Sequence, residues 1–364
     1  MKIKLATAKL KEMVSRAVKG ASNNKLIPIT SLMEIKLEKN VLSFTTTDAT
    51  NYIKVREEKI EGDDFYAVVY ADLFAKLVSR MTCDFVTIEF RPDVSVLVIN
   101  GNGDYKIDLP LDENGQLIKY PNPFDFGGIL EDTINLTTIK VILETLKPAL
   151  AVTLENPCYT GYYVGDSIIA TDTYKIADMG IKLLKSSALV SSEMMDLLDV
   201  MQAEKINVIR KDNKIMFETP DCVVYGTLME GIEEYAHDAI GELVHTEFDS
   251  VCGLSKSELL QVLDRLSLFV GKYDKNAVRF TFNNDGLQIS SKAFSGVEII
   301  KYVTSEGFNP FTCLLDIQMI TQEVKSIQTD VIEMYYGEDN AVKMVDGNIT
   351  VVVALLDDES EEEE

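Results

Sequence analysis

The chain has 364 residues, of which 46% are hydrophobic and 26% are charged, a composition typical of a globular protein with room for two or three domains. It carries 35 Lys and Arg against 59 Asp and Glu, a formal net charge of −24, and no apolar run approaches the ~20 residues of a membrane-spanning helix. Such acidity argues against nucleic acid as a partner, unless the positive charge is concentrated on one surface.

The same order of elements occurs three times: an amphipathic helix, paired strands, a second amphipathic helix and further strands. The first helix of each repeat is predicted over 5–20, 136–150 and 254–272. The strand pairs are predicted over 33–55, 159–183 and 277–303, and the second helices over 70–81, 191–202 and 314–327. A period of about 120 residues indicates duplicated domains, because solenoid repeats are much shorter. Connections too short for parallel crossovers predict antiparallel meanders, so the fold class is α+β with the helices on one face of the sheets.

Domain boundaries are predicted where the pattern restarts. The segment 114–128, with two prolines and two terminal glycines, is predicted to be the first linker, and Glu230–Leu243 the second. The domains are then 1–126, 127–242 and 243–356, followed by an acidic tail over 357–364 that is predicted to be disordered. Ser255 and Glu258 form a capping box that opens the first helix of the third domain.

Catalytic and cofactor motifs are scarce. The only histidines are His237 and His245, and the sequence has no zinc-protease, P-loop or serine-hydrolase motif, so no catalytic residue, metal site or cofactor is predicted. Asp63 and Asp64 follow Gly62 as metal-binding carboxylates do in some polymerases. An acidic turn before a strand over 65–70 is the favoured interpretation, because no partner carboxylate motif follows. An enzyme using this pair stays open as a rival hypothesis.

The cysteines are widely spaced and form no CxxC pair, and the chain opens without a signal-peptide pattern. Reduced thiols in a cytoplasmic protein are therefore expected. These residues are Cys83, Cys158, Cys222, Cys252 and Cys313.

Two Thr-Asp pairs, Thr47-Asp48 and Thr171-Asp172, occupy equivalent places in the first two repeats. Repetition at equivalent positions favours a structural role. We expect each aspartate to close a turn by accepting hydrogen bonds from backbone N–H groups.

The predicted helices place basic residues opposite their apolar stripes. On the first helix Arg16 and Lys19 lie opposite a stripe formed by Leu10, Met13, Val14, Ala17 and Val18. The second helix is predicted to bury Leu73, Phe74, Leu77 and Met81. Summed over all six helices the net charge is close to zero, whereas the remainder of the chain is strongly acidic. Solvated helix faces and a surface for a polyanion both explain this pattern.

Several segments resemble one family in order along the whole chain. Residues 169–177, IATDTYKIA, resemble the Ala-Thr-Asp-Gly-His-Arg-Leu-Ala segment in domain two of the bacterial DNA polymerase III β subunit, the sliding clamp. Pro28–Leu32 is similar to the family's Pro-Ile-Leu-x-x-Leu segment, and Asp108-Leu109-Pro110 to its closing strand. Glu230-Gly231 with Tyr235 resembles its Glu-Gly-x-Phe-Pro-x-Tyr linker, without the Phe-Pro.

The resemblance implies a processivity factor for DNA replication, not an enzyme. It implies a head-to-tail homodimeric ring of six similar domains, with helices around a central hole through which duplex DNA passes without base readout. Polymerase and clamp loader would bind as short peptides in a pocket between the second and third domains. An acidic repeat protein that serves as a partner-binding scaffold or DNA mimic, without encircling DNA, is the alternative.

The resemblance also implies roles for individual residues. The DNA-facing candidates are Arg16, Lys19, Asn24, Lys25, Lys76, Arg80, Lys140 and Lys147. The peptide-pocket candidates, predicted to converge, are Tyr159, Thr171, Thr173, Tyr174, Lys175, Ile176, Tyr235, His237, Val351, Val353, Ala354 and Leu355. The dimer-interface candidates, expected to be exposed in a lone chain, are Tyr105, Ile107, Leu268 and Phe269. Ordinary interdomain packing remains the other interpretation of the pocket residues.

The sequence departs from the family near this pocket. Thr173-Tyr174-Lys175 stands where the family has Gly-His-Arg, and Val351–Leu355 where it has Val-Val-Met-Pro-Met. The acidic tail is an extension, and we expect it to repel acidic peptides and to screen the pocket at low salt.

Overall fold

The computed structural model describes residues 1–125, 127–271, 273, 275–293, 295–307, 309–337 and 340–357. It contains two compact units, Met1–Ile139 with Glu193–Leu228, and Lys140–Ser192 with Met229–Glu364. The predicted middle domain, 127–242, contributes residues to both units, so the three-domain division remains a prediction from the repeat. Of the acidic tail, only Asp357 is among the described residues.

Each predicted strand group of the first repeat forms an antiparallel meander, and each predicted helix forms. Its strands are β1 (Lys2–Ala6), β2 (Leu32–Glu38), β3 (Val41–Thr47), β4 (Tyr52–Glu57), β5 (Phe65–Tyr70), β6 (Phe85–Arg91), β7 (Val96–Asn100) and β8 (Asp104–Asp108). Its helices are α1 (Thr7–Ala17), which ends in a 3-10 turn over Val18–Gly20, and α2 (Ala71–Ser79).

The second repeat follows the same order with shorter helices. Its strands are β9 (Ile129–Asn135), β10 (Gly161–Val164), β11 (Ile168–Thr171), β12 (Lys175–Met179), β13 (Ala188–Ser191), β14 (Lys205–Lys211), β15 (Lys214–Glu218) and β16 (Cys222–Thr227). Its helices are α3 (Leu136–Val141) and α4 (Ser192–Leu197). The predicted helix over 136–150 continues beyond α3 as a π-helical turn over Ile142–Leu146 and a 3-10 turn at Pro148.

The third repeat is preceded by a helix that was not predicted, α5 (His237–His245). The strands of this repeat are β17 (Ser250–Ser255), β18 (Ala277–Asn283), β19 (Gly286–Ser291), β20 (Val297–Ile300), β21 (Thr304–Glu306), β22 (Phe311–Asp316), β23 (Val331–Tyr336), β24 (Ala341–Asp346) and β25 (Ile349–Ala354). Its own helices are α6 (Lys256–Leu266) and α7 (Ile317–Ser326). The capping box of α6 is confirmed on its Ser255 side, since the hydroxyl accepts the Glu258 N–H at 3.4 Å.

The prediction that Glu230–Leu243 is a linker is wrong, because most of α5 lies within it. Ile240 and Val244, one helical turn apart, pack into the core of the second unit and stabilise this helix. The prediction that Leu73 is buried is also wrong. The buried stripe of α2 runs through Ala71, Phe74 and Val78, and Leu73 points away from it.

The strands of the described residues form four sheets, two in each unit. In the first unit they have the orders β1-β6-β7-β8 and β5-β2-β3-β4-β16-β15-β14-β9. In the second unit they have the orders β13-β10-β11-β12-β25-β24-β23-β17-β21 and β20-β19-β18-β22. The two large sheets thus join strands of successive repeats, at β4–β16 and at β12–β25.

Candidate functional site

The two Thr-Asp turns have the same geometry. Asp48 accepts the N–H groups of Thr50 and Asn51 at 2.8 and 2.7 Å. In the second repeat Asp172 accepts those of Tyr174 and Lys175 at 3.0 and 2.8 Å. The prediction of structural, turn-closing aspartates is confirmed, and the second turn fixes the position of Tyr174.

The residue after each of these aspartates has a left-handed backbone conformation. Thr173 has φ = 78° and Ala49 has φ = 89°. A β-branched residue is strained there, whereas glycine is not. We expect Thr173→Gly to raise the free energy of unfolding by about 1 kcal/mol, measured by urea denaturation. Ala49→Gly is the matched variant in the other turn, and a lower stability of Thr173→Gly would show that the threonine side chain holds this turn.

One face of the β12–β25 sheet is covered by α5 and a row of aromatic rings. Ile176 and Val352 lie opposite each other on the two strands and pack in one apolar cluster with Ile240 and Val244. The ring of Tyr163 stacks on that of Tyr235 with centroids 5.3 Å apart.

The aromatic row continues beyond this stacked pair in both directions. Tyr159 contacts Tyr235 edge-on at 5.1 Å, and His237 stacks on Tyr163 at 4.4 Å. Burial raises the pKa of the Tyr235 hydroxyl well above its usual range, so this group stays neutral. Together the rings and α5 form an apolar layer of the second unit with a partly polar rim.

The twelve pocket candidates do not all share this face. Lys175 lies directly opposite Val353 on the neighbouring strand, and both project to the face on which α7 packs. Val351 also projects there, because side chains alternate along a strand. The predicted convergence is therefore wrong for these three residues. Val352, which the sequence prediction omitted, occupies the α5 face, one position away in the register.

The other candidates differ in exposure. Thr171, Ile176 and Tyr235 are buried, and Tyr159, His237, Ala354 and Leu355 are partly buried. Thr173 is exposed, and Tyr174 has 61% of its surface exposed while its carbonyl accepts the N–H of Ala354 at 2.9 Å. Tyr174 therefore lies beside the last residue of β25, and its aromatic ring is accessible to solvent.

Lys175 has a different environment from the one predicted. Its Nζ donates to Pro148 O at 2.5 Å and to Gln322 Oε1 at 3.2 Å, and it lies 3.4 Å from Glu323 Oε1. Burial raises the pKa of the Glu323 carboxyl to about 7, against the opposing effect of the Lys175 charge. The two residues form a buried ion pair that links β12 to α7.

Of the DNA-facing candidates, Arg16 is misplaced by the sequence prediction. Only 6% of its surface is exposed. It donates to Val200 O at 2.8 Å and pairs with Asp221 at 2.7 Å and with Glu12. The other seven are exposed, although Lys19 and Lys76 pair with aspartates. They are Lys19, Asn24, Lys25, Lys76, Arg80, Lys140 and Lys147.

The dimer candidates lie in two places, on the edge strand β8 and in the turn that follows α6. β8, with Tyr105 and Ile107, is an edge strand as predicted, and Tyr105 is exposed, but only 5% of the Ile107 surface is exposed, so its predicted exposure is wrong. Leu268 and Phe269 follow α6 and are 80% and 52% exposed, as predicted. Beside them the edge strand β20 exposes two apolar side chains that the sequence prediction missed, Val297 and Ile299. Only the order of the described strands reveals that β20 has no neighbour on this side among them.

The acidic turn has the favoured structural arrangement. Asp64 accepts the backbone N–H of Lys39 at 3.0 Å and precedes β5. Within the described ranges, no group of three or more His, Cys, Asp or Glu side chains is arranged to hold a metal ion. No helix formed by these residues combines the length and apolarity that a membrane crossing requires.

Comparison with known proteins identifies the fold. Residues 1–115 match the family model of the DNA polymerase III beta subunit, N-terminal domain. A search of curated protein sequences finds no match. The predicted resemblance to this family is thereby confirmed for the first repeat by sequence.

Solved structures extend the likeness to the whole chain. The DNA polymerase sliding clamp of Bacillus subtilis superposes with a TM-score of 0.85 at 19% identity, over 98% of this chain and 99% of that one. The beta subunit of Streptococcus pyogenes gives 0.87 at 14% identity over 98% and 100%, and that of Thermotoga maritima 0.83 at 18% identity over 98% and 99%. The predicted fold class, α+β in the arrangement of a DNA clamp, is confirmed.

Proposed function

We propose that this chain, which matches the DNA polymerase III β subunit in sequence over its first 115 residues and bacterial sliding clamps in fold throughout, is a divergent member of that family. Its proposed function is that of a DNA polymerase processivity factor, a homodimeric ring that encircles duplex DNA. The ring tethers the polymerase and other partners through short peptides.

The observation that carries the proposal is the equivalence of the strand junctions. The first two repeats each contribute two four-stranded groups, the third contributes one group of four and one of five, and β4 and β12 end equivalent groups in the first two repeats. β4 pairs antiparallel with β16, and β12 pairs antiparallel with β25. The equivalent strands left over are β8 in the first repeat and β20 in the third, and each ends its sheet.

A second copy of the chain supplies the missing partner for each of these strands. Pairing β8 of one copy with β20 of the other repeats the two internal junctions, and two such contacts close a head-to-tail ring of six domains. The exposed apolar side chains of β20 and the Leu268–Phe269 turn support this contact, because it removes them from water.

Contact with DNA in such a ring is weak, since few cations are available on the helices. We expect binding to short duplexes to weaken steeply with salt and to show no sequence preference. Lys76→Ala/Arg80→Ala should lower the slope of log affinity against log salt by about 1 to 2, measured by anisotropy. Lys59→Ala/Lys182→Ala, which removes two exposed lysines outside the candidate set, should leave the slope unchanged. Tight binding at physiological salt would contradict the proposal.

The peptide site is proposed on the α5 face of the second unit, next to Tyr174. An apolar layer with a few polar groups suits a short peptide with Leu or Phe anchors. We expect Tyr174→Ala to weaken binding of such a peptide about tenfold without changing the melting temperature, because the side chain is exposed. Fluorescence anisotropy measures the affinity.

Tyr273→Ala is the matched control, since this tyrosine is fully exposed elsewhere in the same unit. Equal affinity of Tyr174→Ala and wild type would remove Tyr174 from the site. Ile176→Glu is a poor test, because Ile176 is buried in the α5 cluster and a charge there disrupts folding.

Topological retention tests the function directly. The dimer is dissociated by dilution, mixed with closed circular duplex DNA and concentrated, and free protein is removed by gel filtration in high salt. A ring stays on the circle and is released when a restriction enzyme linearises it, whereas no protein stays on linear DNA of the same length. Equal retention on both forms would favour an acidic scaffold, and DNA cleavage with Mg²⁺ would favour an enzyme.

A further inference from the structure

An apolar row crosses five neighbouring strands of the large sheet in the first unit. It follows the strand register, in which Tyr52 of β4 lies opposite Tyr225 of β16. Tyr225 in turn lies opposite Met216 of β15. Ile209 of β14 lies opposite Met216 on one side and Leu130 of β9 on the other. Residues directly opposite one another share a face of the sheet, so these side chains form a continuous row. At about 4.8 Å between neighbouring strands, the row is roughly 19 Å long.

A short segment of the first linker covers one end of this row. The Phe124 ring packs edge-on against the rings of Tyr52 and Tyr225, with centroids 6.2 and 6.1 Å apart. The Lys54 Nζ lies over the same ring, 5.3 Å from its centroid. Met216 belongs to the apolar cluster against which Phe124 packs. Phe124 is therefore the aromatic anchor that holds this segment on the sheet.

The linker is held firmly before this anchor and lightly around it. Tyr120 is buried, and its hydroxyl donates to Leu32 O of β2 at 3.1 Å. Within the described part of the chain, residues 121–125 make no hydrogen bond, and the two prolines among them have no N–H group to donate. Undocking of Phe124 therefore exposes apolar surface but breaks no hydrogen bond of the segment.

The corresponding face of the second unit has a larger cover. Tyr52 and Ile176 each follow the aspartate of a Thr-Asp turn by four residues, and Ile176 lies opposite Val352 as Tyr52 lies opposite Tyr225. The nine-residue helix α5 covers the Ile176–Val352 pair with two apolar side chains. In the first unit a single phenyl ring takes the place of this helix, so less apolar contact has to be broken to open the face.

We propose that the apolar row of the first unit is a second peptide-binding site, and that residues 121–125 are its internal, displaceable occupant. The segment shows the chemistry that the site takes, an aromatic side chain directly after a proline. Its prolines favour extended backbone. The partner is therefore an extended peptide with a Pro-Phe anchor. Binding at this site does not depend on the proposed function.

The row also offers a partner more surface than residues 121–125 use. From Tyr120 at β2 to Phe124 at β4 and β16, the linker crosses the sheet in the direction of β9. Further along the row, Ile209 is partly buried and 52% of the Leu130 surface is exposed. An extended peptide of about six residues spans the row. A partner with a second apolar side chain after its phenylalanine thus buries more surface than the segment does.

Binding of a free copy of the segment tests the site. The probe is a fluorescently labelled peptide with the sequence of residues 121–125, Pro-Asn-Pro-Phe-Asp, and anisotropy measures its affinity for the full chain. In the wild type the attached segment competes at an effective concentration of about 1 mM, which weakens a Kd of about 0.1 mM roughly tenfold. Phe124→Ala removes the competing anchor and should therefore bind the probe about tenfold more tightly than the wild type.

Three further variants identify the surface that binds the probe. Phe85→Ala is the matched control, because Phe85 is an exposed phenylalanine of the same unit with Lys4 Nζ 4.8 Å from its ring centroid, and it should leave the affinity unchanged. Phe124→Ala/Tyr52→Ala should lose the gain, since Tyr52 forms one wall of the site. Phe124→Ala/Tyr174→Ala should keep it, because Tyr174 belongs to the site proposed in the second unit.

A longer probe tests the rest of the row. Adding Ala-Leu after the aspartate of the probe should strengthen its binding to Phe124→Ala, because the leucine reaches towards Ile209. Adding Ile209→Asp to this variant should remove the increase, since a charge in the row opposes burial of the leucine. Equal affinity of the two probes for Phe124→Ala would limit the site to the Tyr52–Tyr225 end and overturn its extension along the row.

A second variant tests the competition while keeping the anchor. Pro121→Gly/Pro123→Gly makes the undocked segment more flexible, so it docks less often, and the affinity for the probe should lie between those of the wild type and Phe124→Ala. No binding to Phe124→Ala, or an affinity equal to that of the wild type, would overturn the proposal. Loss of the gain with Tyr174→Ala would overturn it as well, because the probe would then occupy the α5 face. The assay contains no DNA, so it gives its answer even if the chain is not retained on circles. Thermal melting verifies that each variant is folded.

Discussion

Replacing Leu268 and Phe269 together with alanine is expected to leave the chain folded but to abolish the dimer at micromolar concentration. Both side chains are largely exposed in the lone chain, beside the edge strand β20. Burial of a large apolar side chain contributes about 1.5 to 3 kcal/mol, so losing two of them from each contact raises its dissociation constant roughly 100-fold or more. Sedimentation velocity measures the mass, and retention on circular DNA should be lost in parallel.

A matched control removes the same kind of surface elsewhere. Val152→Ala/Leu154→Ala deletes two exposed aliphatic side chains in a loop outside the proposed contact and should remain dimeric. Ile299→Asp, which places a charge on β20 itself, should reproduce the monomer independently. A wild-type protein that sediments as a monomer, or an unchanged mass for the double alanine variant, would exclude this interface.

Replacing Lys175 with methionine is expected to destabilise the chain by about 3 kcal/mol at pH 8. The substitution keeps the length of the side chain but leaves the buried Glu323 carboxylate without its counter-charge, and breaking a buried pair in this way typically costs 3 to 5 kcal/mol. The hydrogen bonds to Pro148 and Gln322 are lost as well. Urea denaturation at fixed pH gives the change in unfolding free energy.

The pH dependence of this loss has a defined sign. The folded-state pKa of Glu323 is raised to about 7 from 4.5, so the folded protein binds this proton more tightly than the unfolded chain. The contribution of Glu323 to stability is therefore fully present below about pH 4.5 and is lost as pH rises through 7. Lys175→Met should be less destabilising at pH 6 than at pH 8.

Two further variants separate the pair from its surroundings. Glu323→Gln should remove this part of the pH dependence, and Lys175→Met/Glu323→Gln should be more stable at pH 8 than Lys175→Met alone. If Lys175→Met lowers the free energy of unfolding by the same amount at pH 6 and pH 8, the lost hydrogen bonds, and not the charge of Glu323, account for most of the destabilisation.

The fold was predictable where local patterns and tertiary contacts agree. Six helices and the strand meanders follow from apolar periodicity. Where the pattern of a segment is weak, the occurrence of the same order of elements in the other two repeats supports its assignment. The helix α5 was missed because its short apolar stripe follows a segment rich in glycine and acids. Only its packing on β12 and β25 reveals that it covers a sheet.

The site residues were less predictable because they depend on register and partners. The strand at the chain end is apolar at every position from 349 to 355 except 350, so its sequence does not show which valines share a face. The pairing of this strand with β12 places Val352, opposite Ile176, on the face that α5 covers. Arg16 looks like a surface residue on a helical wheel, and only the distant Val200 and Asp221 bury it.

The strand junctions of the proposed ring have similar geometry, but they differ in whether they join parts of one chain or two separate chains. Those between β4 and β16 and between β12 and β25 join parts of one chain and are insensitive to dilution. The contact between β8 and β20 joins two chains and alone obeys mass action. The lifetime of the protein on DNA would then be governed by the separation of a single pair of sheet edges. Substitutions on β20 could lengthen or shorten that lifetime without altering any residue that faces the DNA.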